Sequence, residues 1–578
     1  MFALETQKKI SYNTQVYPTH SYFGRAYITR GIDTMNESNE KKLPDSKLTA
    51  KQLEEKKEAK KLKLYTVSFV AVVALLVCIA LGVGISRAVA NSGVREKNTI
   101  AYTVGDHQLN SVEMSYFFID AVNNFYSTNG SYAALYGLDV TKALDQQYVD
   151  EANGITWADN LMESAKQNAH STYALVDAAN AEGYTLSEDA QAQIDTTINN
   201  ISGYATLAGA KNADAYLKAF YGKGSSVESF REYVTLNTLA NQYYSSHRDS
   251  LSYTNDQLRE KEAENYDQYS SFTYNQYYVA VSKFLTGGTT DEDGKTTYSD
   301  EERLAAVQAA QDAANSLTEL EDPSVEAFDE AISKLSINAE SETAVNSTAY
   351  ANNIYTSVNS NLRDWLSDSS RKEGDMTVIK AATTSTDDDG NETETVNGFY
   401  VVYYVDRNDN NINLVNVRHI LVSFQGGTTE NGKTTYSDAE KAAAKSSAEA
   451  ILADWLAGEH TEESFAALAD EKTNDSGSKG NGGLYEDVYP GQMVTAFNDW
   501  CFDDSRQVGD TGIVESDYGY HVMYFVGQAD ETYRDYMIER DLRSSDMETW
   551  YTALVDAVTV VDGDTSRIRT NLILRSST

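Results

Sequence analysis

Apolar residues follow three different patterns along this chain. From Tyr65 to Ser86 they run without interruption, YTVSFVAVVALLVCIALGVGIS, with no charged residue. At 1.5 Å per residue such a run crosses a bilayer core of about 30 Å, and soluble helices seldom stay apolar on every side. It predicts a transmembrane helix over 65–86. Between about Asn98 and Tyr269 the pattern becomes helical. A short strand, TIAYTV, and a Gly105-Asp106 turn come first. Asn110 with Glu113, Ser225 with Glu228 and Thr254 with Gln257 then have the spacing of capping boxes. Phe230, Tyr233, Val234, Leu236, Leu239, Ala240 and Tyr243 form a stripe at helical spacing. The stripe reads either as an internal core face or as a groove for apolar peptide.

The third pattern is a repeat. Val417–Glu440, VRHILVSFQGGTTENGKTTYSDAE, echoes Val279–Glu302, VAVSKFLTGGTTDEDGKTTYSDEE. In the later copy NVRHILVSF predicts a strand and TENGK a turn. Ser437 and Glu440 box a helix through Trp455 that Gly458 ends. A short helix, EESFAALADEK, a polar loop, TNDSGSKGNGG, the segment YPGQMVTAFNDWCF and the closing strands GIVES and YGYHVMYFVG follow. The order is strand, helices, strand, helix, strand, strand. The earlier copy keeps DWLSDSSRKEGD where the later has DWCFDDSRQVGD, and NGFYVVYYV where it has YGYHVMYFV, so equal folds are expected. Anchored on GGTT, Ala280 stands where the later copy has His419, and Tyr400 stands for His521. After Gly527, Ser545 and Glu548 box a segment whose Met547, Trp550, Tyr551, Leu554 and Val555 share one face. That face is expected to pack on helices between Asn98 and Tyr269.

At 578 residues the chain is long enough for three or four domains, and two cysteines supply no disulfide framework. Residues 1–64 read as a disordered cytoplasmic tail. They hold 13 Lys+Arg and 8 Asp+Glu, a net +5 that leaves −45 for the remainder of a chain whose total is −40. That balance argues against nucleic acid as a partner. Lys56, Lys57, Lys60, Lys61 and Lys63 precede the apolar run, against Arg87, Arg95 and Lys97 after it. This asymmetry puts the N-terminus in the cytoplasm and the bulk of the chain outside, as a single-pass protein of the cell membrane. The competing reading is a cleaved signal: AVA at Ala88–Ala90 has cleavage-site character, and the mature protein would then be secreted.

RHILV, GSKGNGGL, GQMVTAF and GYHV occur in that order within Val415–Gly527. On these motifs the later repeat resembles the parvulin-type peptidyl-prolyl isomerases, and the part beyond the membrane run resembles the PrsA/SurA-like foldases. The resemblance implies an α+β multidomain protein: a tail (1–64), a transmembrane helix (65–86), a helical chaperone domain (87–270), a degenerate parvulin-like module (271–408), a parvulin module (409–527) and a C-terminal helix returning to the chaperone domain (528–578). It implies His419, Asp475, His521 and Tyr518 as catalytic residues, and a proline pocket of Leu484, Met493 and Phe497 with Gln492 on its rim. Met493 and Phe497, four apart, are expected on one helix face. No cofactor and no metal are implied. The implied partners are unfolded or partly folded secreted proteins. The chain departs from the family at LYEDVYPGQM, where Val488 stands for a pocket aromatic, and no Arg pair follows His419 to favour phosphorylated substrates. Two function classes follow: an isomerase with a chaperone domain, or a holdase that uses parvulin-like modules only to bind peptide.

Overall fold

The structure is a computed structural model that describes residues 91–574, apart from 293, 340, 342, 387–389 and 431. The predicted span at 65–86 and the tail before it lie outside the described residues. Among the described residues no helix is long and apolar enough to cross a membrane. The architecture is mixed α/β with several domains, and the chain divides into two compact units: residues up to Leu251 with those from Met547 onward, and Ser252–Asp546.

The first unit is built from the helices Ser111–Asn129, Trp157–Ala181, Glu188–Leu207, Ala213–Tyr221 and Val227–Ser250. A three-stranded sheet joins Val560–Asp562 to Ile100–Val104 and His107–Asn110. Asn110 caps its helix with Glu113 as the reciprocal partner. The expected cap at Ser225 moves by one residue: Ser226 caps Val227–Ser250, with Ser229 completing the box. The stripe on that helix is core. Tyr233 joins a cluster with Phe117, Leu161 and Ile198, and Ala240 and Tyr243 join one with Leu175 and Val176. Trp550, Tyr551 and Leu554 pack on the latter cluster, and the Trp550 indole stacks on His247 at 3.9 Å. No helix starts at Ser545. Tyr533–Asp556 is one continuous helix, because nothing between those residues breaks a helix and packing along its length outweighs the local cap.

In the second unit both repeats fold alike. In the earlier repeat β1 (Ser271–Ala280), α1 (Asp300–Ser316), α2 (Val325–Ser333), β2 (Thr348–Ile354), α3 (Ser360–Leu366), β3 (Met376–Thr386) and β4 (Glu392–Asn408) follow in order. In the later one they are β5 (Asn413–Ser423), α4 (Asp438–Leu456), α5 (Glu462–Lys472), β6 (Leu484–Val488), α6 (Thr495–Cys501), β7 (Thr511–Ser516) and β8 (Gly519–Thr532). The sheets run β2-β1-β4-β3 and β6-β5-β8-β7, with every pair antiparallel. Alternation along β5 sends Ile420 to the core under α4 and α5, and Val417 to the opposite core under α6. Arg534, 1 % exposed, ties the base of the unit: it donates to the Tyr266 carbonyl at 2.6 Å and the Asp409 carbonyl at 3.1 Å, and pairs with Glu262.

The strand register corrects the alignment of the two copies. His419 lies opposite Met523, and Val402, the counterpart of Met523, lies opposite Gln276. Gln276 therefore occupies the His419 position, not Ala280. The GGTT anchor misleads because the earlier copy inserts a helical turn, Val281–Phe284, between its strand and its Gly-Gly loop. The Tyr400 position does match His521: the two lie opposite Tyr278 and Leu421, which are themselves equivalent.

Candidate active site

The site lies on the sheet face of the later repeat that α6 covers. His419 on β5 and His521 on β8 are neighbours on adjacent strands, 3 % and 5 % exposed. Their Nδ1 atoms are 3.1 Å apart. Beyond them, His419 Nε2 is 3.0 Å from Asp475 Oδ2, and His521 Nε2 is 2.8 Å from Ser516 Oγ. A single proton assignment satisfies this line. Ser516 donates to His521 Nε2, His521 Nδ1–H donates to His419 Nδ1, and His419 Nε2–H donates to the Asp475 carboxylate.

The surroundings fix the charge states. Burial opposes ionisation of Asp475, but hydrogen bonds from the Ser478 hydroxyl (2.6 Å), His419, the Gly477 amide (3.1 Å) and the Tyr485 hydroxyl (2.9 Å) outweigh it. They hold the carboxyl well below the usual range. Burial pushes His419 down against the pull of Asp475, and burial together with the neighbouring His419 takes His521 down to about 4. The line therefore consists of one anion and two neutral imidazoles at neutral pH. The Cys501 thiol at the end of α6 is buried and pushed up to about 12, which leaves it without nucleophilic character.

The loop that carries Asp475 is held by backbone. The His419 amide donates to the Gly483 carbonyl at 2.9 Å, and Arg418 binds the carbonyls of Asn481 and Gly482 at 3.1 and 3.0 Å. Gly483 has φ +69°, and a Cβ there would lie 2.3 Å from the His419 carbonyl oxygen. The position requires glycine on both counts.

Phe497 covers the two imidazoles. Its ring centroid is 5.4 Å from each, at 77° and 89° to their planes. Met493 packs into the same cluster, beside Val417, Val488, Met523 and Phe525. It does so from outside the helix. α6 begins at Thr495, because Pro490-Gly491 opens a turn that the Gln492 side chain closes by accepting from the Tyr489 amide at 3.0 Å. Gln492 itself is exposed. Two expected residues are not drawn in. Leu484 joins no part of the Phe497 cluster, because successive strand residues face opposite sides and Tyr485 takes the inward position, 5.3 Å from the His419 ring. Tyr518 sits on the β7–β8 turn, 65 % exposed, where its amide donates to Ser516 at 3.2 Å. Sequence reading missed Tyr485, Ser478, Ser516 and Met523. Ser478 and Tyr485, three and ten residues after Asp475, had one signal: donors spaced to return to a carboxylate.

The earlier repeat has the same frame with other groups. Gln276 and Tyr400 take the histidine positions, and Val358 and Leu362 take those of Met493 and Phe497. The Tyr400 hydroxyl accepts from Asn359 at 3.0 Å, and its ring lies 4.9 Å from Tyr278. The sequence has no histidine between His247 and His419, so that repeat has no imidazole with which to form such a line.

Residues 399–529 match the family profile described as PPIC-type PPIASE domain. The chain carries a parvulin-type peptidyl-prolyl isomerase domain. Among solved structures it is similar to the peptidylprolyl isomerase PrsA from Bacillus anthracis (21% identity, TM-score 0.17, covering 26% of this chain and 59% of that one). It is similar to NmPin, the parvulin of Nitrosopumilus maritimus (31%, TM-score 0.15, 20% and 97%). A third likeness is to a structure of PEB4 and Cj1289 from Campylobacter jejuni, described as structurally related SurA-like chaperones (24%, TM-score 0.15, 25% and 53%). The match thus spans little more than half the length of the PrsA and SurA-like chains. No curated protein sequence matches the chain.

Proposed function

We propose that the protein is a foldase that binds unfolded exported polypeptides and isomerises their X–Pro bonds at the later parvulin module. Rotation about a peptide bond faces a barrier of about 18–20 kcal/mol, set by amide conjugation. No covalent step is needed; the site must favour the twisted amide over both planar forms. Phe497 and Met493 offer an apolar grip for the proline ring. The two neutral imidazoles give a floor that does not solvate the planar carbonyl as water does, and the ionised Asp475 fixes their tautomers. The observation that carries this reading is the line Asp475–His419–His521–Ser516 beneath Phe497, inside the matched segment. In the earlier repeat Gln276 and Tyr400 keep the frame without that line, so catalysis is assigned to the later one alone.

The apolar run at 65–86 and the lysines before it support a single-pass membrane protein with this machinery outside the cytoplasm. The test of the catalytic reading is the rate of cis–trans exchange in a proline tetrapeptide with the full chain, wild type against Phe497→Ala. Acceleration by the wild type and its loss in the variant support the reading. An inactive wild type that still suppresses aggregation of an unfolded protein would leave the holdase.

A further inference from the structure

We propose that the helical unit contains a recognition site for a cationic side chain, lysine or arginine, of an extended polypeptide. A cavity of about 420 Å³ lies among the helices Ser111–Asn129, Trp157–Ala181 and Val227–Ser250, with Tyr551 on its wall. Its lining has one acidic residue, Asp120, and no basic one. Asp120 Oδ2 accepts from the Tyr233 hydroxyl at 2.5 Å, and among the described residues no cation pairs with it. Burial raises its pKa against that single hydrogen bond. A carboxylate so placed gains most from a ligand that brings a positive charge.

The rest of the wall narrows the ligand class. The rings of Tyr233, Tyr244 and Tyr551 line the same cavity, and aromatic faces favour organic cations. Asn168 and Asn241 add carboxamides, each both donor and acceptor, as the N–H and C=O groups of an extended backbone require. A hard metal ion would need several oxygen ligands of higher charge, whereas one carboxylate among rings and amides suits an ammonium or guanidinium on a peptide. The chain's net charge of −40 draws such segments in from solution. The site rests on the reading of the protein as a binder of unfolded chains, and adds which segments it selects.

The test uses the full chain and labelled, proline-free Gly/Ser peptides with one central lysine, read by fluorescence anisotropy. Nε-acetylation of that lysine should weaken binding by about tenfold or more. Asp120→Asn keeps the side chain's shape and an acceptor for Tyr233; it should erase the difference between the two peptides while the isomerase rate stays at the wild-type value. Equal binding of both peptides to the wild type overturns the proposal, as does a preference that survives in the variant. If Asp120→Asn does not fold, the acetylation contrast decides alone. If neither peptide binds but an unfolded carrier protein does, the cationic site is wrong and the foldase reading stands. If no polypeptide binds, both fall.

Discussion

Asp475→Asn perturbs the site at the atom on which most of its hydrogen bonds converge. Oδ2 accepts from Ser478 Oγ at 2.6 Å, Tyr485 at 2.9 Å, His419 at 3.0 Å and the Ser478 amide at 3.2 Å, while Oδ1 accepts from the Gly477 amide at 3.1 Å. Every partner is a donor. An asparagine must therefore aim its nitrogen at one of them, and the lesser loss puts it at Gly477. One bond then goes, worth about 1 kcal/mol, and the others lose their charge assistance; together these cost about 3 kcal/mol. The measurement is urea unfolding of both proteins, with hydrogen exchange localised to Asn413–Thr532. Because the carboxyl is held below its unfolded value of about 3.9, its contribution is present above that pH and fades as pH falls through the folded value. The gap between wild type and variant should therefore be full at pH 7 and narrow below about pH 4. A loss under about 0.5 kcal/mol at pH 7, or a gap that widens in acid, would mean that Asp475 does not hold its donors as an anion.

His521, taken down to about 4 against an ordinary 6.5, binds fewer protons folded than unfolded between those values. Its stabilisation is complete above pH 6.5 and is lost as pH falls toward 4, by on the order of 3 kcal/mol; His521→Asn should remove that slope from urea midpoints measured across the window. Gly483→Ala meets both the left-handed φ and the His419 carbonyl, and should destabilise the later repeat by about 3 kcal/mol or more in the same exchange experiment. Trp550→Ala removes the ring stacked on His247 and should cost the helical unit about 2–3 kcal/mol, read as earlier melting of that unit's amides while Asn413–Thr532 keeps its protection.

What the sequence revealed follows from how local each signal is. Capping boxes at Asn110, Thr254 and Ser437 hold in the structure because donor and acceptor lie within one turn. At Ser545 the same spelling fails, since packing carries the helix straight through it. The histidine pair was legible as motif positions, and its geometry depends on β5 and β8 pairing across 102 residues of chain. Gln276 was hidden because identical loops at GGTT drew the alignment, while four residues of extra turn shifted the strand beneath it. Tyr485 and Leu484 exchanged roles because one step along a strand reverses the face. Ser478 had no signal beyond its spacing from Asp475, and Ser516, at the end of β7, had none, so only the fold shows it converging on the imidazole line.

Catalysis is proposed for the later module and not for its duplicate. The most direct measurement is exchange spectroscopy on a proline tetrapeptide with three full-length proteins: wild type, Met493→Ala/Phe497→Ala, and Val358→Ala/Leu362→Ala. The wild type and the earlier-repeat variant should accelerate exchange equally, and the later-repeat variant should lose at least about tenfold, equivalent to roughly 1.4 kcal/mol of transition-state stabilisation. Equal rates in the wild type and the later-repeat variant, or loss confined to the earlier-repeat variant, would contradict that assignment.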